Sequence, residues 1–206
     1  MSLIIHEVNT EQKMIAFTFD DGPNPVYTPQ VLEIFQAVEG KATFYMIGEQ
    51  MQKHPEIVRL VIDQGHEIGN HTFTHPMLTK LSLAESEAEL KQADEIIFAM
   101  TGGKPTTFRP PYFDFNDEIL SFSSSLGYST IGALNPDALD WEQPGVNHIF
   151  EKSKNHCRNG SILLFHDGFG DRSETIEAVR KLVNELTEEG YQLVTVSELL
   201  QNANDN

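Results

Sequence analysis

The chain reads as an α/β protein, a parallel sheet with helices packed outside it. Three observations predict this. Strand-like and helix-like stretches alternate strictly along the 206 residues, in seven units. The polar residues with chemical potential fall just after the strand-like runs, at their carboxyl ends, where barrels and open sheets both place their sites. The glycine fingerprint of a dinucleotide fold is missing after the first strand, and two acids stand there instead. Right-handed crossovers leave a barrel or an open doubly wound sheet. A barrel closed by fewer than eight strands is distorted, with a groove at its mouth.

The elements follow in order. Met14 to Phe19 is an apolar first strand, stopped by Asp20-Asp21-Gly22-Pro23. Thr28, with Pro29 at the first helical position, opens a helix with Val31, Phe35 and Val38 on one face. Ala42 to Ile47 is the second strand. Pro55 to Gln64 is helical and Gly65 stops it. His66 to Asn70 is a short third strand. Ser82 and Glu85 form a capping box for a long helix whose stripe is Leu90, Ala93, Ile97 and Met100, ending at Gly102. Thr106 to Arg109 is the fourth strand, and Asn116 caps a helix to Leu126. Tyr128 to Leu134 is the fifth strand, followed by a helix near Asn147 to Cys157. Ser161 to Phe165 is a continuous apolar sixth strand. Ser173 to Glu188 is a helix with Ile176, Val179, Val183 and Leu186 inward. Gln192 to Val196 is the seventh strand, and Ser197 caps a last short helix.

Length and composition fit one globular domain spanning residues 1–206, since 39% of residues are hydrophobic and 22% charged. No apolar run approaches the roughly 18 residues a membrane span needs. Met1 to Lys13 is polar and mixed, so no secretory signal is visible. This leaves the compartment open: secreted or cell-envelope if a leader was removed, otherwise cytoplasmic. The formal charge of −17 argues against nucleic acid, whose phosphates it repels. A neutral polymer, or one that yields amines, suits that sign. Oligomeric state is not legible. A single cysteine, Cys157, excludes an internal disulfide and a cysteine-built zinc site, and it reads as an inert, partly buried thiol.

The chemistry gathers at strand ends. Asp20 and Asp21 follow the first strand, His71 and His75 the third, Arg109 and Tyr112 the fourth. Asp137, Asp140 and Trp141 follow the fifth, and His166 and Asp167 the sixth. Two adjacent carboxylates repel unless a cation or a donor absorbs the charge. Two imidazoles four residues apart, joined by a carboxylate, make a facial set for zinc or a similar divalent ion. One division has Asp21 ligating the metal while Asp20 takes a proton from water; the two aspartates can also be exchanged. Arg109, stiffened by Pro110 and Pro111, can hold Asp20. Tyr112 can offer its backbone N–H to an oxyanion. His166 suits proton donation, with Asp140 raising its pKa and Trp141 and Leu164 walling a small acyl group. His6, His54, His66, His148 and His156 read as structural or exposed.

These residues fall within Thr18-Phe-Asp-Asp-Gly-Pro23, His71-Thr-Phe-Thr-His75, Arg109-Pro-Pro-Tyr112, Asp137-Ala-Leu-Asp-Trp141 and Leu164-Phe-His166. In that order they resemble the five motifs of the polysaccharide deacetylases, the NodB-homology domains of carbohydrate esterase family four. The likeness runs from Met14 to Val196. It implies a distorted (β/α)7 barrel and a metal-dependent N-deacetylase of N-acetylglucosamine polymers: chitin, chitooligosaccharide or peptidoglycan. By the same resemblance Asp20 is the general base, and Asp21, His71 and His75 hold a divalent metal. The metal is zinc in most members, with cobalt, nickel or manganese as alternatives. Arg109 orients the base, Tyr112 donates to the oxyanion and Asp140 tunes the acid His166. Trp141 and Leu164 receive the acetyl methyl. The residues leave two rivals open: an O-acetyl esterase or cyclic-amide hydrolase built on the same site, and an inactive carbohydrate-binding protein.

Overall fold

The computed structural model describes residues 4–204. Among these residues seven strands and eight α-helices follow one another, with two of the helices consecutive between the second and third strands. Strand β1 (Met14–Asp20) is central, and β2 (Thr43–Met46), β3 (Glu67–Asn70), β4 (Thr107–Phe108) and β5 (Ser129–Thr130) extend from one side of it. Strand β6 (Ile162–His166) lies on its other side. Strand β7 (Gln192–Leu193) pairs with Met14 and Ile15, while β2 pairs with Thr18 to Asp20, so β1 carries both partners along its length. Every strand pair is parallel, as the strict alternation requires.

The barrel is distorted because β5 and β6 share no ladder. Other groups bridge that seam. Ile5 pairs with Ile131 and Glu7 with Ser161. The Leu134 N–H donates to the Ile162 carbonyl at 3.0 Å. Asn135 then stands in for a strand: its Oδ1 accepts from the Leu164 N–H at 2.7 Å and its Nδ2 donates to the Leu164 carbonyl at 3.0 Å.

The period of two along β1 sets the layers. Ile15, Phe17 and Phe19 face the helices and join the large core with Val31, Phe35, Phe44, Phe165 and Leu182. Phe17 stacks on Phe165 and Phe19 on Phe44, at 5.6 and 5.3 Å between ring centres. Burying one such ring contributes about 1.5–3 kcal/mol. The alternate residues point inside. Met14 and Ala16 pack the barrel floor with Ile131, Ile162, Val194 and Leu199, and Thr18 and Asp20 continue upward toward Arg109. Helices α1 (Tyr27–Ala37), α3 (Pro55–Asp63), α4 (Leu83–Thr101), α5 (Asp117–Ser125), α6 (Val146–Lys154) and α7 (Ser173–Glu188) cover the outside. The Ser82–Glu85 capping box opens α4, and Asn116 caps α5 by accepting from the Ile119 N–H.

Several boundaries differ from those read in the sequence, each for a tertiary reason. Helix α1 begins at Tyr27, because Asn24 Oδ1 accepts from the N–H groups of Val26 and Tyr27. Strand β5 stops at Thr130, not Leu134, because the chain then leaves β4 to pair with Ile5 and Ile162. Strand β7 stops at Leu193, and Val196 already belongs to α8 (Val196–Asn204). Ser197 is therefore inside that helix. Its start is held by Thr195, by Thr43 and by Glu67 on the barrel floor. Glu67 also accepts from the hydroxyls of Thr43, Thr107 and Ser197 at 2.7–2.9 Å. Helix α2 (Gly48–Lys53) has no counterpart in the reading, being only six residues long and without an apolar stripe.

Candidate active site

The site forms where the inner residues of the strands reach the mouth. Strand β1 ends at Asp20, and Asp21 adopts a left-handed backbone, φ 73°, ahead of a cis Gly22–Pro23 bond. Neighbouring side chains on a straight strand diverge. This turn brings both carboxylates into one cavity of about 400 Å³. Its lining includes His71 and His75 from the loop after β3, Tyr112 after β4, Trp141 after β5, and Leu164 and His166 from β6.

Asp21, His71 and His75 converge. Asp21 Oδ1 lies 3.4 Å from His71 Nε2 and 3.0 Å from His75 Nε2, and the three potential ligand atoms are all within 4.8 Å of one another. His71 Nδ1 is 2.7 Å from the Arg109 carbonyl. A carbonyl only accepts, so the ring proton sits on Nδ1 and the Nε2 lone pair faces Asp21. Burial opposes ionisation of Asp21, but its contacts with His71 and His75 and the field of His166 outweigh this and hold it far below the ordinary carboxylate range. Asp21 Oδ1 is buried and has no hydrogen-bond donor of its own. A carboxylate facing two imidazole nitrogens needs positive charge between them, supplied either by protons on the rings or by one metal ion. The donor set, two nitrogens and one oxygen, therefore fits a divalent metal.

The loop bearing the histidines is tied on both sides. The N–H groups of Gly48 and Glu49, opening α2, donate to the Thr72 and Phe73 carbonyls at 3.0 Å. Glu89 of α4 accepts from the N–H groups of Phe73 and Thr74 and from the Thr74 hydroxyl, at 2.7–2.9 Å. A side chain at position 48 would meet the Phe73 ring at 2.4 Å, so only glycine fits there.

Arg109 is fully buried and spends its donors inside the barrel. Nη1 donates to Asp20 Oδ1 at 2.8 Å and to Thr18 Oγ1 at 2.6 Å; Nη2 donates to the Gly132 carbonyl at 2.7 Å. The guanidinium lies 4.4 Å from the centre of the Tyr45 ring. The Tyr112 N–H makes no hydrogen bond within the chain among the described residues, and its φ of 58° belongs to a left-handed turn. The Tyr112 ring meets that of His75 edge-on at 4.6 Å.

His166 Nδ1 pairs with Asp140 Oδ1 at 2.8 Å, and the His166 N–H donates to Asp140 Oδ2 at 2.7 Å. Burial alone would lower the imidazole pKa. The charge and hydrogen bond of Asp140, with the fields of Asp20 and Asp21, outweigh it and push it up to about 9. Trp141 stands 5.7 Å from His166, edge to face, and Leu164 is buried beside it.

Two acids grouped with the site in the sequence lie apart from it. Asp137 is exposed and pairs with His156 and Lys152 at 2.9 and 3.4 Å, because the turn at Pro136 aims it away. Asp167 is fully buried behind the cavity and accepts from the Thr28 hydroxyl. Its Oδ1 has no partner, and burial pushes its carboxyl up to about 7. None of His6, His54, His66, His148 and His156 lines the cavity. The sequence reading missed Thr18, Glu89, Asn135 and Arg172. Glu89 and Arg172 carry no local signal; Thr18 opens the first motif and Asn135 precedes the fourth, and both were legible only as strand and turn residues.

Residues 7–131 match the sequence profile of the family described as polysaccharide deacetylase. The chain is 41% identical to a peptidoglycan-N-acetylglucosamine deacetylase of Bacillus cereus over 95% of its own length and 92% of that protein. It is 33% identical to a chitooligosaccharide deacetylase of Sinorhizobium fredii, over 86% of this chain and 87% of that one. Among solved structures, a CE4 family pseudoenzyme from Bacillus anthracis superposes with a TM-score of 0.88 at 28% identity, covering 98% of this chain and 70% of that one.

Proposed function

The chain belongs to the polysaccharide deacetylase family, and from that premise we propose that it is a metal-dependent N-deacetylase of N-acetylglucosamine-containing glycans. Peptidoglycan and chitooligosaccharide, the substrates named for its relatives, are the candidates. The observation that carries this reading is one cavity holding an acid, a base and a ligand set at once: His166, Asp20, and Asp21 with His71 and His75.

A divalent ion, zinc first and cobalt, nickel or manganese next, would be held by Asp21, His71 and His75 and would supply Lewis acidity toward water and the acetamide carbonyl. The chain's own groups do the rest. Asp20, fixed by Arg109, takes a proton as the water oxygen bonds to the carbonyl carbon. The free Tyr112 N–H stabilises the negative carbonyl oxygen. His166, oriented by Asp140, protonates the nitrogen as the carbon–nitrogen bond breaks. Leu164 and Trp141 enclose the acetyl methyl. The products are acetate and a free amine.

Acetate release from N-acetylglucosamine oligomers and from peptidoglycan, measured before and after thorough chelation and with zinc restored, tests this reading. Undiminished turnover after metal stripping would sink the metal role. The match to a pseudoenzyme favours one alternative, a carbohydrate-binding protein without turnover. Tight oligomer binding with no acetate released under any of the four metals would establish it.

A further inference from the structure

The proposed reaction leaves an exposed aromatic residue beside the cavity without a task. Phe169 follows β6 in the turn Gly168-Phe169-Gly170. Its φ is 48°, a left-handed conformation that bulky residues rarely adopt. Its side chain joins no hydrophobic core cluster, and the residue is 47% exposed. Strain borne by a residue that adds nothing to the core points to use at the surface.

The turn is rigidly placed. The Gly168 N–H donates to the Asp20 carbonyl, and a side chain at position 168 would meet the Asp21 carbonyl oxygen at 2.0 Å. Arg172, almost fully buried, donates from Nε to the Gly168 carbonyl at 2.8 Å and from Nη1 to the Trp141 carbonyl at 3.0 Å. One guanidinium thus ties the Phe169 turn to the Trp141 loop. Phe169 does not line the cavity, but its ring centre is 6.1 Å from that of His75, which also meets Tyr112. Tyr112, Phe169 and Trp141 are all exposed, so the cavity rim carries aromatic rings on the His75 side and on the His166 side.

We propose that Phe169, with Tyr112, forms a stacking platform for the sugar ring next to the reacting one, so that the enzyme selects oligomers over single sugars. This rests on the deacetylase reading for the position of the reacting unit. The apolar C–H face of a pyranose suits an aromatic ring outside the cavity. An uncharged glycan also meets no repulsion from a chain of net charge −17.

The test compares the protein with Phe169→Ala and Phe169→Trp on tetra-N-acetylchitotetraose and on N-acetylglucosamine. Binding is read from the emission of Trp141, the one tryptophan, and turnover from acetate. Phe169→Ala is expected to weaken tetramer binding about tenfold, the scale of one lost aromatic contact, with the loss in KM rather than kcat. The affinity for the single sugar should move less than twofold, and Phe169→Trp should restore the tetramer. Equal effects on both sugars, no effect on either, or no tetramer binding by the unaltered protein overturns the platform. Tetramer binding that depends on Phe169 without acetate release would overturn the deacetylase reading and leave the platform standing.

Discussion

Arg109 Nη1 donates to Asp20 Oδ1 at 2.8 Å with both side chains buried. The same residue's carbonyl fixes His71, so one strand end orients the proposed base and a proposed metal ligand together. Removing one partner of a buried ion pair leaves the other charge uncompensated, at about 3–5 kcal/mol. Arg109→Ala should destabilise the fold by that amount in denaturant titrations. Arg109→Lys keeps the charge but loses the fork that also reaches Thr18 and Gly132. Its kcat should fall on the order of 10²-fold. Wild-type turnover in the lysine variant would mean that Asp20 needs no orientation.

Glu89 touches no part of the cavity, yet it accepts three hydrogen bonds from the loop carrying His71 and His75. Glu89→Ala should weaken metal binding roughly 10–100-fold, as for other groups that orient ligands. Competition with a chromogenic chelator measures this without turnover. An unchanged affinity would show that the start of α2 holds the loop unaided.

A proton donor must be protonated, so turnover that depends on His166 falls as pH rises through its pKa, about 9 in the metal-free chain. A bound cation offsets the fields of Asp20 and Asp21, so the alkaline limb of the loaded enzyme should lie below that value. Asp140→Asn removes the leading charge that raises the pKa, and burial then lowers it. The alkaline limb of kcat/KM should move down by at least one pH unit, as on the order of 1.4 kcal/mol is lost. A limb that stays in place would assign it to another group. The sign for stability agrees: a histidine raised from 6.5 contributes fully below pH 6.5 and loses that contribution on the way to about 9.

Asp167 shows linkage of the same sign in a lower pH window. Its carboxyl is raised from 3.8 to about 7 by burial, so its ionisation opposes folding. Stability is unaffected by this group below pH 3.8 and is lost as pH rises toward 7. The full cost is roughly 4 kcal/mol. Asp167→Asn, measured against wild type by denaturant unfolding at pH 4 and pH 8, should gain relative stability by up to that amount at the higher pH. A difference that does not change with pH would refute the raised pKa.

The sequence carried the layering of the fold, because β1, β2 and β6 are buried along nearly their whole length and read as unbroken apolar runs. It also carried the caps at Ser82 and Asn116, which act through residues three positions away. The ends of β5 and β7 were not legible. Their last residues pair with Ile5, Ile162 and Thr43, and nothing local marks that. The same limit applies at the site. Residue types and order exposed Asp20, Asp21, His71, His75 and His166. The roles of Glu89, Thr18 and Arg172 come from hydrogen bonds that cross the fold. Asp137 shares a strand end with Asp140 in the sequence, and the left-handed Leu139 between them, which its residue type does not reveal, is part of the turn that separates them.

Asp21, His75, Tyr112, Leu139 and Phe169 all hold left-handed backbones around the mouth. Each conformation is sustained only by the barrel beneath it. Heat should therefore release this ring of loops before the strands let go. At a temperature just short of global unfolding, turnover would fall while circular dichroism stayed intact, and the most robust part of the molecule would outlive its purpose.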